Sequence, residues 1–198
     1  SGTYTVTATS GGDITDSGVL AITNGATFKV ADGRSIILNQ ASTFSSTVTF
    51  IPLSGTITAV TINDSNDFDL KALTTTGDLT VTAGGAVTNS GTLVVPGTAT
   101  ISASGRDVTL NTATNNFGTA ALTGAAVSIR DTNAIILGAS TVSGNYTVTA
   151  GDDITDSGTV TVGRNFAATT DASNGVITLN ELAVTGSIAL NTHGSGAA

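Results

Sequence analysis

Two stretches of the chain carry paired carboxylates in the same frame: "GGDITDSG" at residues 11–18 and "GDDITDSG" at residues 151–158. Asp13 and Asp16, and Asp153 and Asp156 with Asp152 beside them, are hard oxygen donors of the kind calcium accepts. A second use of the same groups is local: an aspartate at a turn accepts hydrogen bonds from nearby main-chain N–H groups. The corresponding stretch at residues 84–91 reads "GGAVTNSG", with Ala86 and Asn89 where the carboxylates stand, and the surrounding register survives. The frame therefore needs Gly, a β-branched residue and Ser-Gly, and it does not need Asp. The Gly-Gly-x-Gly-x-Asp cadence of calcium-binding repeats is missing. The carboxylates read as turn residues with no cofactor, and calcium is the alternative. On this reading, exchanging Asp153 and Asp156 for Asn changes stability by less than about 0.5 kcal/mol.

Other chemistry has little to work with. One histidine, His193, and no cysteine leave no Ser-His-Asp group, zinc spacing or disulfide framework to assemble. Arg34 and Arg106 each stand four residues before the Leu of an "LN" pair, whereas Gly175 fills that place in the third case. A base or anchor for catalysis would not recur with the repeat and then lapse, so the chain reads as a non-enzyme; a polysaccharide-degrading β-helix is the least favoured alternative. The net charge of −8 disfavours nucleic acid as a partner. No apolar run approaches the roughly 18 residues of a membrane-spanning helix. Thr-x-Thr pairs at Thr5 and Thr7, Thr80 and Thr82, and Thr147 and Thr149 suggest ice binding as a further alternative, although they come only about once in three coils.

These residues need a frame, and composition with periodicity supplies it. Gly is abundant at 24 residues, only 4% of residues are aromatic, and Trp and Met are absent. Thr and Val suit a pleated surface while Gly and Asn punctuate it, so the chain reads as all-β with a narrow core of Val, Ile, Leu and Ala. The segment from Gly77, "GDLTVTAGGAVTNSGT", matches "GNYTVTAGDDITDSGT" from Gly144, a shift of 67, and "VTINDSNDFDL" from Val60 lies over "VSIRDTNAIIL" from Val127. The unit divides at glycines into segments of about 20–25 residues, each with three short apolar-polar alternations. That pattern specifies coils of a right-handed parallel β-helix, about three per unit, stacked about 4.8 Å apart. Val6, Val81 and Val148 are equivalent inward positions, and the two Asp motifs lie about six coils, on the order of 30 Å, apart.

Two further features stand out. Asn39, Asn111 and Asn180 each follow a core-type Leu and are expected to form a corner ladder. From Phe44 to Val60 the first repeat is six residues longer than the second from Phe117 to Val127, the surplus lying around Phe50, Ile51, Pro52 and Leu53. This insertion is a widened coil or a contact loop.

The quoted stretches "LTVTAGGAVTNSGTL" and "ILGASTVSGNYTVTAGDDITDSGTVTVG", with the "VTLN" strands, resemble the β-helical repeat regions of filamentous-haemagglutinin-like exoproteins and autotransporter-type adhesins of Gram-negative bacteria. The likeness covers nearly all of residues 1–198, read as a single solenoid segment from a longer array. It implies export to the bacterial cell surface and a structural or adhesive role as stalk, fibre or biofilm matrix, with a surface receptor as partner. Because "SGTYTVTA" and the tail "NTHGSGAA" offer no obvious cap, end-to-end self-association or stacking of further coils is expected.

Overall fold

The computed structural model describes residues 2–171 and 175–193. These residues form 24 strands and no helix, and every strand pairing is parallel. The chain winds as a β-solenoid of about nine turns. One side carries a three-stranded sheet (Tyr4–Ala8, Ala26–Val30, Val48–Pro52) and then a seven-stranded sheet from Phe68–Leu70 to Ile188–Asn191. A 14-stranded sheet wraps the rest, along a path from Ile14–Thr15 through Leu79–Ala83 to Ile154–Asp156 and Ile177–Thr178. The ladder runs along the axis, so paired strand neighbours lie one coil apart in sequence, the short steps typified by Ala120 to Leu137 and the long ones by Ile36 to Val60.

Alternation explains the core. In the strand Leu79–Ala83 the residues Leu79, Val81 and Ala83 point into the tube while Thr80 and Thr82 face outward. Stacked through every coil, these positions make one continuous core in which Val, Ile, Leu and Ala predominate. Six of the eight aromatics meet one another, at two levels. Phe28 stacks on Phe50 at 6.1 Å and meets Tyr4 and Phe44 edge-on; farther along, Tyr146 meets Phe166 edge-on at 5.7 Å.

The expected repeat of three coils is corrected to three and a half. Ile14 and Ile154 hold the same place two repeats apart in sequence, and on the 14-stranded sheet they lie seven ladder steps apart. Short coils in the middle of this path, from Leu79 to Ala99 and from Ala120 to Leu137, leave room for the seventh turn. The axial separation of the Asp motifs is therefore about 34 Å. A half-integral unit also rotates each repeat by half a turn. Val6 and Val148 stand on the side of the three- and seven-stranded sheets, whereas Val81 points in from the 14-stranded sheet. Val81 and Val148 are fully buried, and Val6 is partly buried against the core.

Candidate functional site

The acidic motifs fasten each coil to the next. Asp13 accepts the Ser35 N–H at 2.9 Å, and Asp16 accepts those of Asn39 and Gln40 at 3.0 and 3.2 Å. In the third repeat Asp153 accepts the Val176 N–H at 2.7 Å, and Asp156 those of Asn180 and Glu181 at 3.0 and 2.7 Å. Each carboxylate reaches forward by one coil to main-chain amides beside a break in the ladder, such as Asn39 and Gln40 between the pairings of Ile37 and Thr43. In the second repeat the Asn89 side chain acts instead as a donor, to the Gly91 carbonyl at 2.8 Å and to Asn115 Oδ1 at 2.9 Å.

Two motifs that look independent in sequence are thus partners. Asn39 and Asn180 lie in the segments that Asp16 and Asp156 grip, whereas Asn111, just past the strand Val108–Leu110 of the seven-stranded sheet, accepts the Ser128 hydroxyl at 2.9 Å. The three asparagines do not stack on one another. Asp16 to Asn39 and Asp156 to Asn180 each span one coil, and that spacing was the available signal.

Forward fastening is general at exposed corners: Asp32, Asp67, Asp78 and Asp107 each accept an N–H from the following coil at 2.7–3.0 Å. A second, buried set reaches backward. Asp64 accepts the Phe44 N–H at 3.1 Å, Asp131 the Phe117 N–H at 2.6 Å, and Asn115 the Leu93 N–H at 3.0 Å. Asp64 and Asp131 hold the same place in successive repeats, and each closes a turn on its own Asn two residues on. Burial raises both carboxyls, Asp131 to about 6, against the lowering effect of their main-chain hydrogen bonds. Neither residue stood out in the sequence, although "DSN" and "DTN" recur in register.

Among the described residues no three His, Cys, Asp or Glu side chains come close enough to share a metal ion. A groove of about 920 Å³ opens where the ladder breaks between Val48–Pro52 and Phe68–Leu70. Ser45, Thr47, Asn66, Asp67, Lys71 and Arg106 line it. Lys71 pairs with Asp69 at 2.5 Å and donates to the Ser90 hydroxyl at 3.0 Å. Burial alone would raise the Asp69 carboxyl; hydrogen bonds from Lys71, Ser90 and Thr88 outweigh it and hold the group low.

The inserted residues build a wide coil and an apolar ledge. Val48–Pro52 pairs along its whole length with Ala26–Val30, and Phe50 is buried. Ile51 and Leu53 remain 37% and 45% exposed, with Pro52 between them lining a 300 Å³ cleft over Leu73. Threonine ranks also emerge that the sequence reading missed. Thr61, Thr80 and Thr100 stack in one file and Asn63, Thr82 and Ser102 in the next, because these short coils bring dissimilar parts of the repeat into line.

A family model described as "Repeats of unknown function (DUF5649)" matches residues 1–51, 57–123 and 124–191. The gap between its first two matches, residues 52–56, falls at the insertion. No curated protein and no solved structure matches the chain.

Proposed function

The chain belongs to the family of repeats of unknown function (DUF5649), and from that premise we propose that it is a structural and adhesive stalk or fibre segment of a secreted bacterial surface protein. The observation that carries this reading is where the polar chemistry goes. Main-chain groups pair along the axis, and the carboxylates that could have served catalysis or calcium accept N–H bonds from adjacent coils. A segment built this way supplies length and a lateral surface, consistent with a non-catalytic role without a cofactor. The apolar ledge at Ile51 and Leu53 is the contact we assign to attachment. Cells displaying the segment at their surface test it. They adhere to host cells or to one another more than cells displaying the Ile51→Ser, Leu53→Ser variant, by about tenfold if the ledge supplies roughly 1.4 kcal/mol of binding. Equal attachment by both, at equal display, would falsify the ledge; no attachment by either removes the adhesive reading.

The file of Thr61, Thr80 and Thr100, with Thr82 and Ser102 beside it, favours a second reading, as an ice-binding face. Recrystallisation of ice in the presence of the protein checks it directly. Grains that grow as fast as in buffer, with Thr80→Val and Thr100→Val variants indistinguishable from the parent, dismiss it.

A further inference from the structure

We infer that the unpaired edge of the strand Val48–Pro52 is a binding site for an extended segment of another polypeptide, added as one further strand in the groove beside it and carrying a carboxylate to Arg106. The hydrogen-bond phase shows which groups are open. In a parallel ladder the N–H and C=O of one residue face the same neighbour, and those of the next residue face the opposite one. The Thr47 C=O accepts the Ala26 N–H at 2.8 Å, and the Leu53 N–H donates to the Val30 C=O at 2.8 Å. Thr49 and Ile51 share that side, so Val48 and Phe50 turn their main-chain groups toward the break. Across it, the Phe68 N–H donates to the Ala86 C=O at 2.8 Å and the Leu70 C=O accepts the Ser90 N–H at 3.1 Å, which turns Asp69 back toward the same gap. Among the described residues no main-chain hydrogen bond joins Val48–Pro52 to Phe68–Leu70.

The gap is a local opening in a wall that closes on both sides of it. The Ser65 N–H donates to the Ser42 C=O at 2.8 Å before it, and the Thr76 N–H to the Ile57 C=O at 2.9 Å beyond it. The second repeat, which lacks the six extra residues, has no such edge. Its strand Asn116–Gly124 pairs with Leu93–Ser102 on one side and with Ile135–Leu137 and Ser140–Val142 on the other. An uncharged edge of Val, Thr, Phe and Ile is the kind that recruits a strand. Pro52, without an N–H, marks where pairing stops. At about 3.3 Å per residue the edge is about 17 Å long, room for a strand of about five residues.

The chemistry of the groove selects the occupant. In strand addition, main-chain pairing supplies affinity and side-chain pockets at alternate positions supply specificity. Phe44, Val48 and Phe68 give the groove an apolar part, which suits apolar side chains at alternate positions. The carboxylates around it are already engaged: Asp67 and Asp107 accept N–H groups from the following coil, and Asp69 holds Lys71. Arg106 also lines the groove, and among the described residues its guanidinium has neither an ion pair nor a hydrogen bond. The unanswered charge is positive, so the occupant is acidic at that point. A second copy of this chain would offer Val48–Pro52 itself, which carries no carboxylate. The occupant is therefore a different polypeptide.

The test uses the acetylated and amidated peptide Ser-Val-Thr-Val-Glu-Ser and the whole protein. Saturating peptide is expected to slow hydrogen exchange at Val48 and Phe50 at least about tenfold and to leave the paired strand Leu79–Ala83 unaffected. Replacing the peptide's Glu by Gln is expected to weaken binding to the parent about threefold and to make no difference to Arg106→Gln, the mark of a direct pair. Methylation of alternate peptide amides, in one phase or the other, is expected to abolish binding, because it removes the donors that face Val48 and Phe50. Unchanged exchange at both residues with the peptide at millimolar concentration overturns the site. The same protection produced by a linear oligosaccharide such as chitotetraose overturns the choice of a polypeptide. Protection that rises with protein concentration alone overturns it in favour of a second copy. No readout depends on attachment or on the ledge at Ile51 and Leu53, so failure of the adhesion experiment leaves this test intact.

Discussion

At the scale of single residues, the useful distinction is between carboxylates that reach forward at exposed corners and those that reach backward inside the wall. Asp156 accepts two amides, and Asp153 one. An Asn at 153 keeps its single acceptor, whereas an Asn at 156 turns an NH₂ group toward an N–H. Asp153→Asn is therefore expected to be silent, and Asp156→Asn to cost about 1 kcal/mol, in urea unfolding of each variant. This divides the two residues that the sequence reading treated alike. The buried Asp131 has a pH signature. Its folded pKa, about 6, lies above the ordinary value of 3.8, so between these values the folded protein holds a proton that the unfolded chain has released. Stability from this group is thus fully present below about pH 3.8 and is lost as pH rises toward 6 and beyond. Asp64 is shifted in the same direction. A carboxyl resonance of Asp131 titrating near 6, with stability falling through that window in the parent and flat in Asp131→Asn, is the expected result; a midpoint near 4 contradicts it.

At the scale of the element, the insertion shows how a local surplus becomes a surface. The six additional residues lengthen one coil so that Val48–Pro52 matches Ala26–Val30 strand for strand, and the next strand on that side, Phe68–Leu70, is three residues long. The step between them opens the groove, and at the other end of the wide strand Ile51 and Leu53 stay exposed. Phe50 anchors the wide coil on Phe28, so Phe50→Ala is expected to cost about 3–5 kcal/mol by thermal unfolding, whereas Ile51→Ser with Leu53→Ser stays within about 0.5 kcal/mol. Much of this was legible beforehand. Alternation in "LTVTA" and the constant shift between repeats fix strands, inward residues and parallel stacking. The coil-to-coil register was not legible, because the coil from Ala120 to Leu137 is much shorter than that from Ile36 to Val60, and the equivalence of repeats does not say which residues become neighbours. That is why the pairing of Asp16 with Asn39 and the file of Thr61, Thr80 and Thr100 became visible only in three dimensions. Buried Asp64 and Asp131 were hidden for another reason: a carboxylate inside a wall runs against hydropathy, and only its main-chain partners, contributed by another coil, explain it.

At the scale of the whole molecule, a unit of three and a half coils makes the sequence repeat and the surface repeat different lengths. Each unit turns the next to the opposite side, so any outward feature returns to the same side only every second unit. Thr15 and Thr155, on the 14-stranded sheet, share one side, and Thr88, the same position of the second repeat, projects from the seven-stranded sheet. A partner that reads this position would thus meet it on one side at seven-coil intervals, about 34 Å at about 4.8 Å per coil. Contact with two successive units from one side is excluded, which favours partners that span the longer interval or wrap the rod. Spin labels on cysteines introduced at these three positions measure the geometry. The pair at 15 and 155 is expected at about 34 Å, broadened by the label linkers. The distances from 88 to each of them should both exceed an axial offset of about 17 Å, because the vector also crosses the solenoid. A three-coil unit would instead place all three labels in one file, with equal steps of about 14 Å and a total of about 29 Å. Observing that linear series would replace the half-turn relation with a simple translation and put every repeat's outer surface on the same side.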